Sequence, residues 1–148
     1  MPRTPTTAID VTELAARLRL GVTRLARRLR REAEYGISPT KLSALSAVER
    51  GGRLTVGELC AVEQVQPPTM SRAVAGLEEA GLIVREPDPT DGRVSWLRVT
   101  PEGAKVLQRS RRRKEVYLAK RLRALEPAKV AVLEEAAGIL EELVEGPQ

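Results

Sequence analysis

Residues 55–103 carry helix, turn and strand signals in an order that few folds share. Thr55 and Glu58 have the spacing of a helix-capping box, which predicts the start of a short helix. Pro67-Pro68 is tolerated only in the first turn of a helix, so a second helix starts there after a tight turn. Asp91-Gly92 is a strong hairpin signal between two strand-like segments. The pattern therefore predicts helices over 55–63 and 67–80, then strands over 82–86 and 94–99.

Longer helices are predicted on both sides of this unit. Asp10 and Glu13 repeat the capping-box spacing, and apolar residues then recur every three or four positions. Ser38-Pro39 and Thr100-Pro101 each place an N-cap before a proline at the first helical position. The predicted helices cover 11–34, 39–50, 101–125 and 126–145.

Composition excludes several classes of protein. The chain has 148 residues with no histidine and one cysteine, which excludes a Ser-His-Asp triad, an imidazole-ligated metal and an intrachain disulfide. No apolar run approaches the roughly 20 residues of a membrane span, and no apolar signal core follows Met1. We therefore expect a cytoplasmic binding protein that is not an enzyme, has no cofactor and binds no metal. Its net charge of +5 favours an anionic partner.

The predicted fold is mainly α with a small β-hairpin wing: a winged helix-turn-helix lobe plus long helices. A second helix of this kind can lie in the major groove of DNA, while the hairpin reaches the minor groove with an arginine. At 100° per residue, Met70, Ala73, Val74 and Leu77 fall in one apolar sector that packs inward. The other side then faces DNA. The predicted DNA-binding residues are Pro68, Thr69, Ser71, Arg72 and Arg93, with backbone contacts at the helix caps Ser38 and Thr55.

Three motifs resemble those of the MarR family of bacterial regulators. They are Ser71-Arg72…Leu77-Glu78-x-x-Gly81-Leu82-Ile83-x-Arg85, then Asp91-Gly92-Arg93, then Leu97-x-Val99-Thr100-x-x-Gly103. The resemblance covers about residues 10–145. It implies a homodimer joined through the first, fifth and last helices, a palindromic operator on double-stranded DNA, and often release by a small-molecule effector or oxidant. It also implies that Arg93 is the wing arginine, supported by Asp91 and Gly92.

These inferences divide the chain into a tail, a lobe and a helical region. Residues 1–9 are expected to be a flexible tail, 37–103 the DNA-binding lobe, and 10–36 with 104–148 the dimerisation region. We expect a repressor, nucleoid-associated when bound to DNA, whose effector site the sequence does not locate.

Charge leaves an alternative open. Residues 54–86 hold two arginines against five glutamates, a net charge of −3. With the two prolines at the helix start, this suits a winged helix that binds proteins and has little affinity for DNA. The cations lie elsewhere: 105–123 hold nine against Glu115, whereas 126–148 hold Lys129 against six glutamates. Opposite charge on these helices favours self-association through salt bridges.

Three other features have a structural and a functional reading. Cys60 lies among apolar residues, which predicts a buried, inert thiol; the alternative is an oxidant sensor. Arg17, Arg24 and Arg28 form a stripe that we expect to pair with the acidic last helix, with an acidic effector as the alternative. Arg111–Arg113 are expected to be a solvated face.

Overall fold

The computed structural model describes residues 8–33 and 36–146, which fold into six helices and a two-stranded hairpin. Residues 1–7 of the predicted tail, and Tyr35, lie outside the described residues. The predicted elements are all present, with ends that move by one or two residues. They are α1 (Val11–Ala33), α2 (Pro39–Gly51), α3 (Val56–Glu63), α4 (Pro67–Glu79), β1 (Ile83–Pro87), β2 (Ser95–Val99), α5 (Pro101–Arg123) and α6 (Pro127–Glu145).

Side-chain caps explain why the helices start where they do. The Ser38 hydroxyl accepts a hydrogen bond from the Lys41 amide, and the Thr100 hydroxyl accepts one from the Gly103 amide. Thr55 and Glu58 form the predicted reciprocal box, in which each side chain accepts from the other's amide. Asp10 Oδ1 likewise accepts from the first-turn amides of α1. Local chemistry therefore fixes these helix starts before any tertiary contact is made.

The hairpin is a regular antiparallel ladder that runs from Ile83 opposite Val99 to Pro87 opposite Ser95. Leu54 adds a third, one-residue strand: it exchanges both backbone hydrogen bonds with Leu97. Leu97 is consequently fully buried, whereas Trp96 faces the other side of the ribbon. This bridge ties the hairpin to the lobe immediately before α3.

One core holds the lobe together, and it is built almost entirely from aliphatic side chains of 37–107. α2 and α4 contribute most of it, and α3, β1, β2 and α5 close it. α1 buries only Ala33, and α6 buries no residue and makes only marginal contact with the rest of the described chain. The buried apolar residues are Ala33, Leu42, Ala44, Leu45, Ala47, Val48, Leu59, Met70, Ala73, Val74, Leu77, Ile83, Leu97 and Leu107.

None of the helices within the described ranges is long and apolar enough to cross a membrane.

Candidate nucleic-acid interface

The two sides of α4 are divided as the helical periodicity predicts. Its apolar sector is buried in the core, and Pro68, Thr69, Ser71 and Arg72 are all exposed. Arg72 makes no hydrogen bond or ion pair with any residue that the structure describes, so its guanidinium keeps its full set of donors for a ligand. The exposed side of α4 therefore presents one strong hydrogen-bonding fork among small side chains.

Gly76 lies outside the apolar sector of α4, yet it is not fully open to solvent. The aliphatic end and ammonium of Lys41, from the first turn of α2, lie over it, and the residue is half-buried. The periodicity of α4 alone could not show this contact, because it depends on the angle at which α2 crosses α4. Lys41 is therefore an additional cation at the surface of α4, and the sequence did not indicate it.

The start of α4 has few free donors. Pro67 and Pro68 occupy its first two positions and have no amide hydrogen, and the Gln66 side chain makes no capping hydrogen bond. Backbone contact with phosphate at this helix end is therefore poorer than at the ends capped by Ser38 and Thr55. Side chains have to supply most of the interaction here.

A half-buried carboxylate holds the tip of the hairpin. Asp88 accepts hydrogen bonds from the Trp96 indole at 2.8 Å, from the Thr90 amide and hydroxyl, and from the Asp91 amide. These donors hold the pKa of the Asp88 carboxyl far below its usual range, with the Trp96 hydrogen bond as the largest cause. The Arg53 guanidinium lies 4.1 Å from the centre of the Trp96 ring. Asp88 and Arg53 are wing supports that the sequence did not indicate, although an aspartate two residues before a threonine is an Asx-turn signal.

Arg93 lies in the turn at the tip of this hairpin, between β1 and β2. Asp91 Oδ1 accepts from the Arg93 amide at 3.0 Å and from its Nε at 3.2 Å, while the Arg93 side chain remains 91% exposed. The two terminal guanidinium nitrogens stay directed to solvent. Asp91 therefore orients Arg93 without using up its donors, and Gly92 lies at the turn between them.

Four of the five glutamates in 54–86 make contacts within the described chain, two of them as ion pairs. Glu78 pairs with Arg85 at 2.7 Å, Glu86 pairs with Arg98, Glu58 completes the α3 capping box, and Glu63 accepts a hydrogen bond from the Ser43 hydroxyl. Glu79 is the one of the five that makes no such contact within the described part of the chain. Only Glu86 is paired with a cation that the count of −3 leaves out, so residues 54–86 together with Arg98 carry a net charge of −2.

Cys60 is half-buried against the core, so it is less enclosed than the sequence indicates. Arg28 does not reach the acidic last helix of its own chain: its Nε donates to the Tyr117 hydroxyl at 3.0 Å, and its terminal nitrogen pairs with Glu32. These contacts lower the pKa of Tyr117 and raise that of Arg28. Arg111 is not wholly solvated either, because it pairs with Glu49 of α2 at 2.6 Å.

A cavity of about 230 Å³ lies between α1, α2 and α5, above this ion pair. Four cations and three hydroxyls line it, with three aliphatic side chains, and no carboxylate does. The polar lining residues are Arg30, Arg50, Arg111, Lys114, Ser43, Ser46 and Ser110.

Comparisons with known proteins agree with this geometry. A model of the MarR family matches residues 35–94. An HTH-type transcriptional regulator of Mycobacterium leprae is 39% identical over 133 residues, which cover 89% of this chain and 93% of that protein. A crystal structure of a protein from Pseudomonas aeruginosa, described as a transcriptional regulator, superimposes with a TM-score of 0.79 at 32% identity, covering 93% of this chain and 96% of that one. A mutant of MarR from E. coli complexed with operator DNA shares the fold alone, with a TM-score of 0.57 at 21% identity over 89% of this chain and 99% of that one.

Proposed function

The chain belongs to the MarR family of winged-helix transcriptional regulators, and from this premise we propose that it represses transcription as a homodimer on a pseudo-palindromic operator. α4 would lie in the major groove of each half-site and the hairpin wing would reach the adjacent minor groove. Such a regulator acts in the bacterial cytoplasm, on the nucleoid. The observation that carries the proposal is the exposed side of α4, on which Arg72 has no partner among the described residues, beside a wing that exposes Arg93.

Arg72 and Arg93 would have different roles. Arg72 projects from the exposed side of a helix of 13 residues, where its planar fork can take the O6 and N7 atoms of a guanine. Arg93 lies on the wing, which suits the minor groove or a phosphate. Thr69 and Ser71 add short hydroxyls that bind bases or phosphates, and Pro68 allows close approach. Ser38 and Thr55 would bring helix N-termini to the backbone.

Selection of DNA sequences by the purified protein tests the proposal, with footprinting of the selected site. We expect two half-sites about one helical turn apart, roughly 10 bp from centre to centre. Arg72→Ala should relax the preference at one base pair of each half-site, at a cost of about 1–3 kcal/mol. Arg93→Ala should lower affinity and make its dependence on salt shallower. Arg123→Ala, at the far end of α5 from the lobe, is the matched control, and sedimentation should show that it keeps the oligomeric state of the wild type. Selection without any enriched sequence would favour the protein-binding alternative.

Apolar side chains that the single chain leaves exposed support the homodimer. On α6 they fill a sector nearly half the helix circumference wide: Val132, Leu133, Ile139, Leu140, Leu143 and Val144. On α1, Leu14, Leu18, Val22 and Leu25 form a second exposed stripe. Soluble monomers rarely leave apolar patches of this size uncovered, and a second copy of the chain covers both at once. We therefore assign 10–36 and 104–148 to dimerisation and 37–103 to DNA binding, and expect a dimer in sedimentation equilibrium.

The cationic cavity is our candidate for an effector site. It is lined by α2 of the lobe and by α1 and α5 of the dimerisation region, so a bound molecule can change the angle between the lobe and that region. Arg111 is already paired with Glu49, but Arg30, Arg50 and Lys114 have no counter-ion among the described residues, and no aromatic ring lines the cavity. This lining favours a compact anion with two or more charges. Citrate and inorganic phosphate are suitable probes: either should weaken operator binding by the wild type. The double variant Arg50→Gln/Lys114→Gln should lose that response, whereas Arg123→Gln should keep it. A response unchanged in the double variant would exclude this cavity.

A further inference from the structure

Lys41 crosses from α2 onto α4. Its Nζ and Cε lie 2.6 and 2.7 Å from the point that a Cβ atom would occupy at Gly76. The contact exists because residue 76 has no side chain, since any Cβ there would displace the end of Lys41. The lysine is half-buried, although a cation normally keeps its full hydration shell.

Helical periodicity places this ammonium on a defined side of α4. Gly76 follows Thr69 by seven residues and Arg72 by four, so the three share one side of the helix. The ammonium of Lys41 therefore lies about one helical turn beyond Arg72, on the side of α4 that carries Arg72. It makes no hydrogen bond or ion pair through its side chain with any residue in 8–33 and 36–146.

The opposite side of α4 has a cation that is already neutralised. Arg85 of β1 donates to Glu78 from Nε at 3.1 Å and from a terminal nitrogen at 2.7 Å. Of the two cations that flank α4, Lys41 alone retains a charge without a counter-ion in the described chain. The hydrogen-bond donors of a half-buried ammonium in that position bind water or an anionic group of a ligand.

We propose that Lys41 binds a backbone phosphate at the edge of the major groove and that Gly76 leaves the space in which its ammonium lies. This rests on the proposed function, since it presumes that α4 enters the groove. Phosphates line both edges of the groove that would hold α4, and contacts to them fix the register of a protein without reading sequence. Lys41 would thereby help to hold α4 in the groove without reading a base itself.

The test compares Lys41→Gln with Lys105→Gln in operator binding over a range of salt concentrations. Both variants remove one ammonium, but Lys105 pairs with Glu102 at the exposed start of α5 and lies outside the proposed DNA interface. Because Lys105 belongs to the region assigned to dimerisation, sedimentation should first show that both variants keep the oligomeric state of the wild type. For Lys41→Gln we expect affinity to fall about fivefold to tenfold at 0.15 M salt and the slope of log K against log salt to lose about one unit. The base preference should not change. Gly76→Ala should weaken binding in the same direction.

An unchanged slope for Lys41→Gln would overturn this inference and leave the proposed function intact. If affinity and melting temperature both fell at that unchanged slope, the role of Lys41 would be in packing. Lys41→Met, which keeps the aliphatic stem, separates these readings because it preserves packing and still removes the charge. Failure of the wild type to select any DNA sequence would overturn the proposed function, and this inference with it.

Discussion

At the scale of single residues, Gly103 shows why the Thr100-x-x-Gly103 motif ends in a glycine. A Cβ atom there would overlap the Leu82 carbonyl oxygen and lie 2.9 Å from Val99 Cγ1. The Thr100 hydroxyl donates to the Gly81 carbonyl at 2.6 Å, and its amide donates to the Leu82 carbonyl, so the start of α5 is fixed against the start of the wing. The glycine of the Thr100-x-x-Gly103 motif is therefore a close-approach glycine.

Gly103→Ala should lower the free energy of unfolding by about 3 kcal/mol, because the obstructing atoms are backbone and cannot move aside. Gly57→Ala is the matched control. It also replaces a glycine in the first turn of a helix, but its Cβ would meet only Thr55 Oγ1 at 3.9 Å. That variant should be neutral or up to about 1 kcal/mol more stable. Urea unfolding measures both, and equal effects would contradict the close approach.

Asp88 gives the wing a dependence on pH. Its pKa is lowered in the folded state, so its hydrogen bonds stabilise the wing above the ordinary aspartate pKa of about 4. That stabilisation is lost as the pH falls through the lower folded value. The emission of Trp96, the single tryptophan, reports on this contact and should stay constant from neutral pH down to about 4.

Asp88→Asn should shift that emission at neutral pH, because an amide nitrogen facing the indole N–H places two donors together. The far-ultraviolet circular dichroism should be unchanged, since the helices do not depend on Asp88. Glu102→Gln, on an exposed turn of α5, is the control. Wild-type emission that titrates near pH 6 would show that another group controls the wing.

At the scale of elements, the turn between α3 and α4 contains a strained residue. Gln64 ends α3 in the left-handed conformation, with φ of 53°, and it is the one non-glycine residue with positive φ among those described. That conformation costs an ordinary residue roughly 1–2 kcal/mol, and a β-branched residue more. The exposed side chain contributes no packing that would repay this cost.

Gln64→Gly should therefore raise the free energy of unfolding by up to about 1 kcal/mol, whereas Gln64→Val should lower it by about 1–2 kcal/mol. Chemical denaturation of the two variants beside the wild type measures the difference. Both substitutions remove the exposed glutamine side chain. If they changed the free energy of unfolding equally, the positive φ at this position would not be the cause of the change.

Most elements were predictable because their signals are local. The caps at Ser38, Thr55 and Thr100, and the apolar sector of α4, depend on residues three or four apart, and the structure confirms them. The contacts at Gly76, Trp96 and Arg111 join residues 35, 43 and 62 positions apart, so their angles are set by tertiary packing. The wing sequence Asp91-Gly92-Arg93 indicated an exposed arginine, whereas the support from Arg53 became visible only in the fold.

At the scale of the whole molecule, charge is segregated by helix. α1 and α5 are strongly basic and α6 is acidic, while Glu78 and Glu86 of the lobe form ion pairs within it. The excess of positive charge behind the net +5 therefore lies in the region that we assign to dimerisation and not on the surface of α4. Two kinds of force can join the dimer that we propose: attraction between these helices, and burial of the apolar sector of α6.

Magnitudes favour the apolar sector as the main contribution. Burying one aliphatic side chain contributes about 1.5–3 kcal/mol, whereas an exposed ion pair contributes at most about 1 kcal/mol. Ile139 is 52% exposed and Leu143 is 66% exposed in the single chain, and symmetry doubles the effect of any change. Ile139→Asp should thus raise the dimer dissociation constant at least about a hundredfold.

Glu142→Lys, on the acidic side of the same helix, should change that constant less than about tenfold, and the change should shrink as salt is raised. Sedimentation velocity over a dilution series measures both variants. If the charge reversal disrupted the dimer more than Ile139→Asp did, the helices would be joined by their ion pairs. The segregation of charge would then be the main cause of dimerisation. If apolar burial is the main cause, as we expect, the charges orient the two copies and create a field that attracts DNA.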